Sequence, residues 1–116
     1  MKRLYSATFN SFRGIIDGVM TEAAVREEAV LLVIAVPLGV ALAPSAAWFV
    51  AMIGAILLVL AVEFLNTAVE KLSDHVTPEH SQAIKVVKDL GSAAVFFTLL
   101  IAFAIWVAAV WVRFLA

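Results

Sequence analysis

Three long runs without a single charged side chain, 29–43, 46–62 and 90–112, constrain this chain more than anything else in it. The first has no polar side chain at all. A chain of 116 residues of which 65% are apolar exceeds the roughly 45–50% of soluble domains. Its mean hydropathy is +1.08. A globule of this size cannot hide so much apolar surface from water, so lipid must cover part of it. Disorder is excluded on the same grounds, and an ordinary soluble domain is disfavoured. The length allows one domain, 1–116, with no internal repeat or low-complexity segment.

The runs predict helices. The segment 22–43 gives about 33 Å of helix, enough for a hydrocarbon core of ~30 Å. Pro37 inside it is tolerated in a membrane helix. Thr21 reads as its N-cap, and Glu22 and Arg26 share a face. A turn at 43–45 leads to a second helix over 45–74. The segment 73–82 is polar, contains Pro78 and reads as a loop. A third helix, 85–113, carries an uncharged stretch of about 34 Å. Trp106, Trp111 and Arg113 lie toward its end, as interface anchors do.

Ahead of these spans, residues 3–20 are amphipathic. Tyr5, Phe9, Phe12, Ile16 and Val19 fall on one face, and Arg3, Ser6, Asn10, Arg13 and Asp17 on the other. In so apolar a chain this helix fits the membrane interface better than a soluble core. Gly14 and Gly18 weaken its second half and offer a place to turn toward the bilayer. The expected fold is therefore an all-α membrane protein with one surface helix and three transmembrane helices. Lys2, Arg3, Arg13, Arg26, Lys71, Lys85 and Lys88 fall on one side, with only Arg113 at the far end. By the positive-inside rule the amino terminus and the second loop face the cytoplasm.

Composition narrows the chemistry. Cysteine is absent, which excludes disulfides, thiolate metal sites and thiol nucleophiles. The net charge is −1 and no basic stripe alternates with aromatics, so no nucleic-acid partner is expected. No cleavable leader is expected either, since the first long apolar run starts at Ala29.

One stripe stands out. Glu63, Asn66, Glu70 and Asp74 are spaced 3, 4 and 4, which places them on one helix face. Glu63 lies about 25 Å along the helix from Ala46, at the cytoplasmic edge of the hydrocarbon. A carboxylate is costly there and suits a general base. The bland alternative is a carboxylate neutralised by Lys88 or Arg26 for packing alone. Glu22 adds a carboxylate at the same depth, and Lys88 with Asp89 adds a cation and an acid. Hard oxygen ligands beside a lysine suit Mg²⁺ with phosphate, hence a magnesium nucleotide. No P-loop is present, and the five glycines are scattered. The run Gly91-Ser92-Ala93-Ala94 reads first as close helix packing, with room for a substrate headgroup as the alternative. His75 and His80 read as solvated, and no E-x-x-H accompanies the carboxylates, which argues against a di-iron site.

These strings resemble a known family. Glu22-Ala23-Ala24-Val25-Arg26-Glu27-Glu28, the stripe from Glu63 to Asp74, and Lys88-Asp89-Leu90-Gly91-Ser92-Ala93-Ala94-Val95 are similar to the prokaryotic diacylglycerol kinases over nearly the whole chain. The resemblance implies a homotrimeric enzyme of the bacterial inner membrane. It would transfer the γ-phosphoryl of MgATP to the free hydroxyl of diacylglycerol. It implies Glu63 as general base and Glu22 and Glu70 as Mg²⁺ ligands. Arg3, Asn10, Glu22, Asn66, Glu70, Asp74, Glu79, Lys88 and Asp89 would contact ATP. Arg3, Glu63, Ser92, Trp106 and Trp111 would lie on the lipid-substrate side. The second loop reads Glu79-His80-Ser81, where family members have Glu-Tyr-His or Glu-Trp-His, and Asn10 stands in place of an aromatic. Gly91-Ser92-Ala93 matches the diacylglycerol branch rather than the undecaprenol branch, which has Ala-Ala-Gly. Two other readings remain: a polyprenol kinase of the same fold, and a small membrane protein that uses buried carboxylates to pass protons or cations.

Overall fold

The structure, a computed structural model, describes residues 1–77 and 81–116. Four helices follow in order: α1 (Lys2–Thr21), α2 (Ala23–Leu42), α3 (Ala46–Val76) and α4 (Gln82–Phe114). The all-α expectation holds. Two helices, α3 and α4, are long and apolar enough to cross a membrane. In α2 the first turns carry Arg26, Glu27 and Glu28, so its uncharged part, 29–42, spans only about 21 Å.

Several boundaries differ from the sequence reading, each for a local reason. Thr21 is not a cap. It stays helical as the last residue of α1, and its Oγ1 donates to the Asp17 carbonyl at 2.6 Å. The N-cap of α2 is Glu22, a single extended residue (φ −116, ψ 118) that joins the two helices. Its backbone N–H still closes the last turn of α1 on Gly18. The chain therefore bends at Glu22 rather than at Gly14 or Gly18, and α1 runs unbroken through both glycines. The second loop is shorter than its polar composition predicts. Ser73, Asp74, His75 and Val76 remain in α3, and α4 begins at Gln82. Ser81 caps it by accepting from the Ile84 N–H at 3.2 Å. Ser45 caps α3 in the same way, accepting from Trp48 N–H at 3.3 Å.

α3 is the central element, packed most extensively on α4 and next on α2, while α2 and α4 scarcely meet. Ala35, Ala55, Ile56, Val59 and Ala102 form the core. Small residues bring the backbones close. A Cβ at Gly39 of α2 would stand 3.1 Å from the Phe49 ring of α3. α1 reaches the bundle through Gly18, whose missing side chain leaves room for the ring of Phe64. A half-buried hydrogen bond fixes α4 against α3: the Trp106 indole N–H donates to the Met52 carbonyl at 3.0 Å. Most of the apolar surface of α1, α2 and α4 is left uncovered, including Phe9, Phe12, Val33, Phe96, Phe97 and Phe103. Lipid or further copies of the chain must cover it.

Candidate functional site

The polar stripe lies on the C-terminal half of α3, where that helix meets α2 and α4. Glu63 is buried, with 8% of its surface exposed, and Asn66 and Glu70 are half-buried. Asn66 Nδ2 donates to Glu70 Oε1 at 3.2 Å, one turn along the helix. Asn66 Oδ1 is buried and has no hydrogen-bond partner among the described residues. Asp74, at the exposed end, pairs with Lys88 of α4 at 2.8 Å. Glu22, at the α1–α2 joint, pairs with Lys71 of α3 at 2.9 Å. That ion pair ties the joint to the residue next to Glu70.

Glu63 takes no part in any ion pair among the described residues. Both cations of the packing alternative are engaged elsewhere: Lys88 holds Asp74, and Arg26 donates to the Val19 carbonyl at 3.2 Å. On α2, Glu28 Oε2 is also buried without a hydrogen-bond partner among the described residues. A buried carboxylate with no ion-pair partner among the described residues is not an ordinary packing device.

The structure thus sets Glu63, Asn66, Glu70 and Asp74 along about 16 Å of α3, with Glu22 tied to that helix through Lys71 and Lys88 of α4 through Asp74. Asp89 is exposed and pairs with Lys85 at 2.8 Å along the same helix. Arg3 and Asn10 are exposed on α1 and make no hydrogen bond or ion pair with the bundle among the described residues. Ser92 faces outward on α4, and Trp111 is 59% exposed near its end. Trp106 is not a free anchor: its indole is committed to Met52, about 16 Å along α3 from Glu63. Glu79 and His80 lie outside the described residues. Sequence reasoning missed two site-layer residues. Lys71 was signalled by its place beside Glu70 on the stripe-bearing helix, and Glu28 by its place on the inner side of the charged first turns of α2.

No group of three or more acidic or histidine side chains poised for a metal occurs among the described residues. Mg²⁺ requires only one or two carboxylates when a substrate phosphate and water fill the rest. Glu70, Glu22 and the unpartnered Asn66 Oδ1 are all hard oxygens, so the donor chemistry fits that ion.

A family model for prokaryotic diacylglycerol kinase matches residues 9–110. The chain belongs to that family. It is 33% identical over 112 residues to the diacylglycerol kinase of Escherichia coli K12, covering 97% of this chain and 92% of that one. The Pseudomonas aeruginosa PAO1 diacylglycerol kinase is 37% identical over 106 residues, 91% of this chain and 86% of that one. The Haemophilus influenzae Rd diacylglycerol kinase is 35% identical over 106 residues, 91% and 90% respectively. The resemblance read from the three strings is thereby borne out across the membrane helices of this prokaryotic diacylglycerol kinase homologue.

Proposed function

We propose that the chain is an ATP-dependent diacylglycerol kinase in which Glu63 is the general base. The observation that carries this reading is the buried, cation-free carboxylate of Glu63 one turn from the Asn66–Glu70 pair, in a chain that matches the family over residues 9–110. Glu63 lies deepest of the stripe, where a lipid hydroxyl reaches. Its carboxylate accepts the hydroxyl proton as the lipid oxygen attacks the γ-phosphorus. The bond from that phosphorus to the β–γ bridging oxygen breaks, and phosphatidic acid and ADP leave.

Glu70 and Glu22 would hold Mg²⁺, which when bound neutralises charge on the β- and γ-phosphates. Asn66 orients Glu70. Lys88 exchanges Asp74 for phosphate when nucleotide arrives, and Asp89 lies one residue further along α4. Arg3, Asn10 and Glu79 contribute to holding ATP. Ser92 lies on the lipid side, while Trp106 and Trp111 contact acyl chains rather than the reacting hydroxyl. α2 serves as a third span, shortened because Arg26, Glu27 and Glu28 belong to the headgroup layer. The amino terminus and the site then face the cytoplasm, and three copies close the site against lipid.

The test is transfer of labelled γ-phosphate from ATP in mixed micelles, with diacylglycerol and undecaprenol side by side. Labelled phosphatidic acid is expected, with undecaprenol the poorer acceptor. The opposite preference makes the chain a polyprenol kinase. No transfer to either, with cation flux in vesicles, makes it a conduit.

A further inference from the structure

Asn66 Oδ1 occupies the space that a side chain at residue 91 would need. A Cβ built on Gly91 of α4 collides with that oxygen, the nearest atom to it, and then with Asn66 Cγ at 3.2 Å. The α-hydrogen that stands in for a side chain therefore points at Oδ1, which has no other partner among the described residues. The amide cannot simply be reversed. Its nitrogen is the end that can donate to the Glu70 carboxylate, and an oxygen there would face like charge. Only glycine at 91 leaves the amide its place between α3 and α4 with Nδ2 aimed at Glu70.

We propose that Gly91 is a positioning residue for the reaction, acting through Asn66 to set the Glu70 carboxylate for the metal. The inference rests on the metal role proposed for Glu70. It assigns the first residue of the small run a task beyond helix packing. The other small side chains of that run, Ser92, Ala93 and Ala94, are all exposed in the single chain. Gly91 alone of the four is half-buried. A methyl at 91 has to drive the amide off Glu70, since the obstacle is a short branched side chain close to its own backbone rather than a flexible tip.

The experiment compares wild type, Gly91→Ala, Asn66→Ala and the double variant, purified in detergent. Mn²⁺ binding in the presence of a non-hydrolysable ATP analogue is read by electron paramagnetic resonance. The Mg²⁺ concentration for half-maximal rate and the KM for diacylglycerol are measured in parallel. Gly91→Ala is expected to weaken Mn²⁺ binding and raise the Mg²⁺ midpoint by about 10-fold, the low end of what losing an outer partner of a metal ligand costs. The lipid KM should stay within about twofold. Adding Gly91→Ala to Asn66→Ala should change nothing further, because the side chain through which Gly91 acts is already gone. Unchanged Mn²⁺ binding in Gly91→Ala, or a full additional loss in the double variant, overturns the proposal. If Gly91→Ala does not fold, the double variant, with its space restored, decides by the same comparison with Asn66→Ala. If wild type makes no phosphatidic acid, the proposed function falls, and Mn²⁺ binding alone decides for Gly91.

Discussion

Glu63, Glu70 and Glu22 are three carboxylates held in three ways, and kinetics should separate them. Glu63 has no ion-pair partner among the described residues, so Glu63→Gln removes a costly charge without orphaning one of them, and folding should survive. Its kcat should fall by about 10²–10⁴-fold, the usual worth of a general base, with the Mg²⁺ midpoint and ATP KM nearly unchanged. Glu70→Gln and Glu22→Gln should instead raise the Mg²⁺ midpoint. A Mg²⁺ titration at saturating lipid checks all three, and a midpoint shift confined to Glu63→Gln would reverse the roles. Glu22→Gln also unpairs Lys71, which is well exposed and stays hydrated, so stability should hardly change. Trp106 behaves otherwise. Trp106→Phe keeps an aromatic ring but loses the bond to Met52 and part of the indole's bulk against the core, and should destabilise by about 1 kcal/mol or more, as read from unfolding in mixed detergent, with ATP KM unmoved.

Among the elements, α1 depends most on a single close contact. Gly18→Leu would place a side chain where the Phe64 ring lies and should lift α1 from α3 beside Glu63. Arg3→Ala leaves that contact alone and should raise ATP KM more than lipid KM, whereas an equal rise in both would make Arg3 a mere anchor. How much of this was legible in the sequence varies with the kind of signal. The stripe on α3 was readable because carboxylates at helical spacing beside an apolar run have few explanations. Ser45 was readable as a helix start. The end of α3 was not, because Ser73 through Val76 are polar or β-branched and look like loop, yet Ser73 is buried and Asp74 is held by Lys88 across the hairpin. Tertiary pairing outweighed propensity there. Gly18 and Gly91 read as weak points and spacers, since only the neighbouring helix reveals what their missing side chains admit.

The whole molecule is a thin slab, 52 × 40 × 23 Å, with much of its apolar surface uncovered. In a single chain Arg3, Asn10, Ser92 and Asp89 are exposed and make no hydrogen bond or ion pair to the stripe among the described residues, so sharing of the site between copies is a testable expectation. Mixing subunits that carry Glu63→Gln with subunits that carry Asp89→Asn should then restore part of the activity lost in each, and no recovery after proven subunit exchange would count against shared sites. α3 has one more consequence at this scale. It runs 31 residues without interruption, about 46 Å, from the Ser45 cap to the ion pair of Asp74. Trp48 near one end and Glu63 just past the middle are therefore about 22 Å apart on one stiff rod. The protein carries its own ruler. A bilayer thinner than the rod expects must lift Glu63 into the headgroups or tilt the rod, and a thicker one must bury it beyond the reach of nucleotide. Turnover measured across a series of lipids of increasing chain length should pass through a maximum, and shortening α3 by one full turn between Trp48 and Glu63 should move that maximum to thinner membranes.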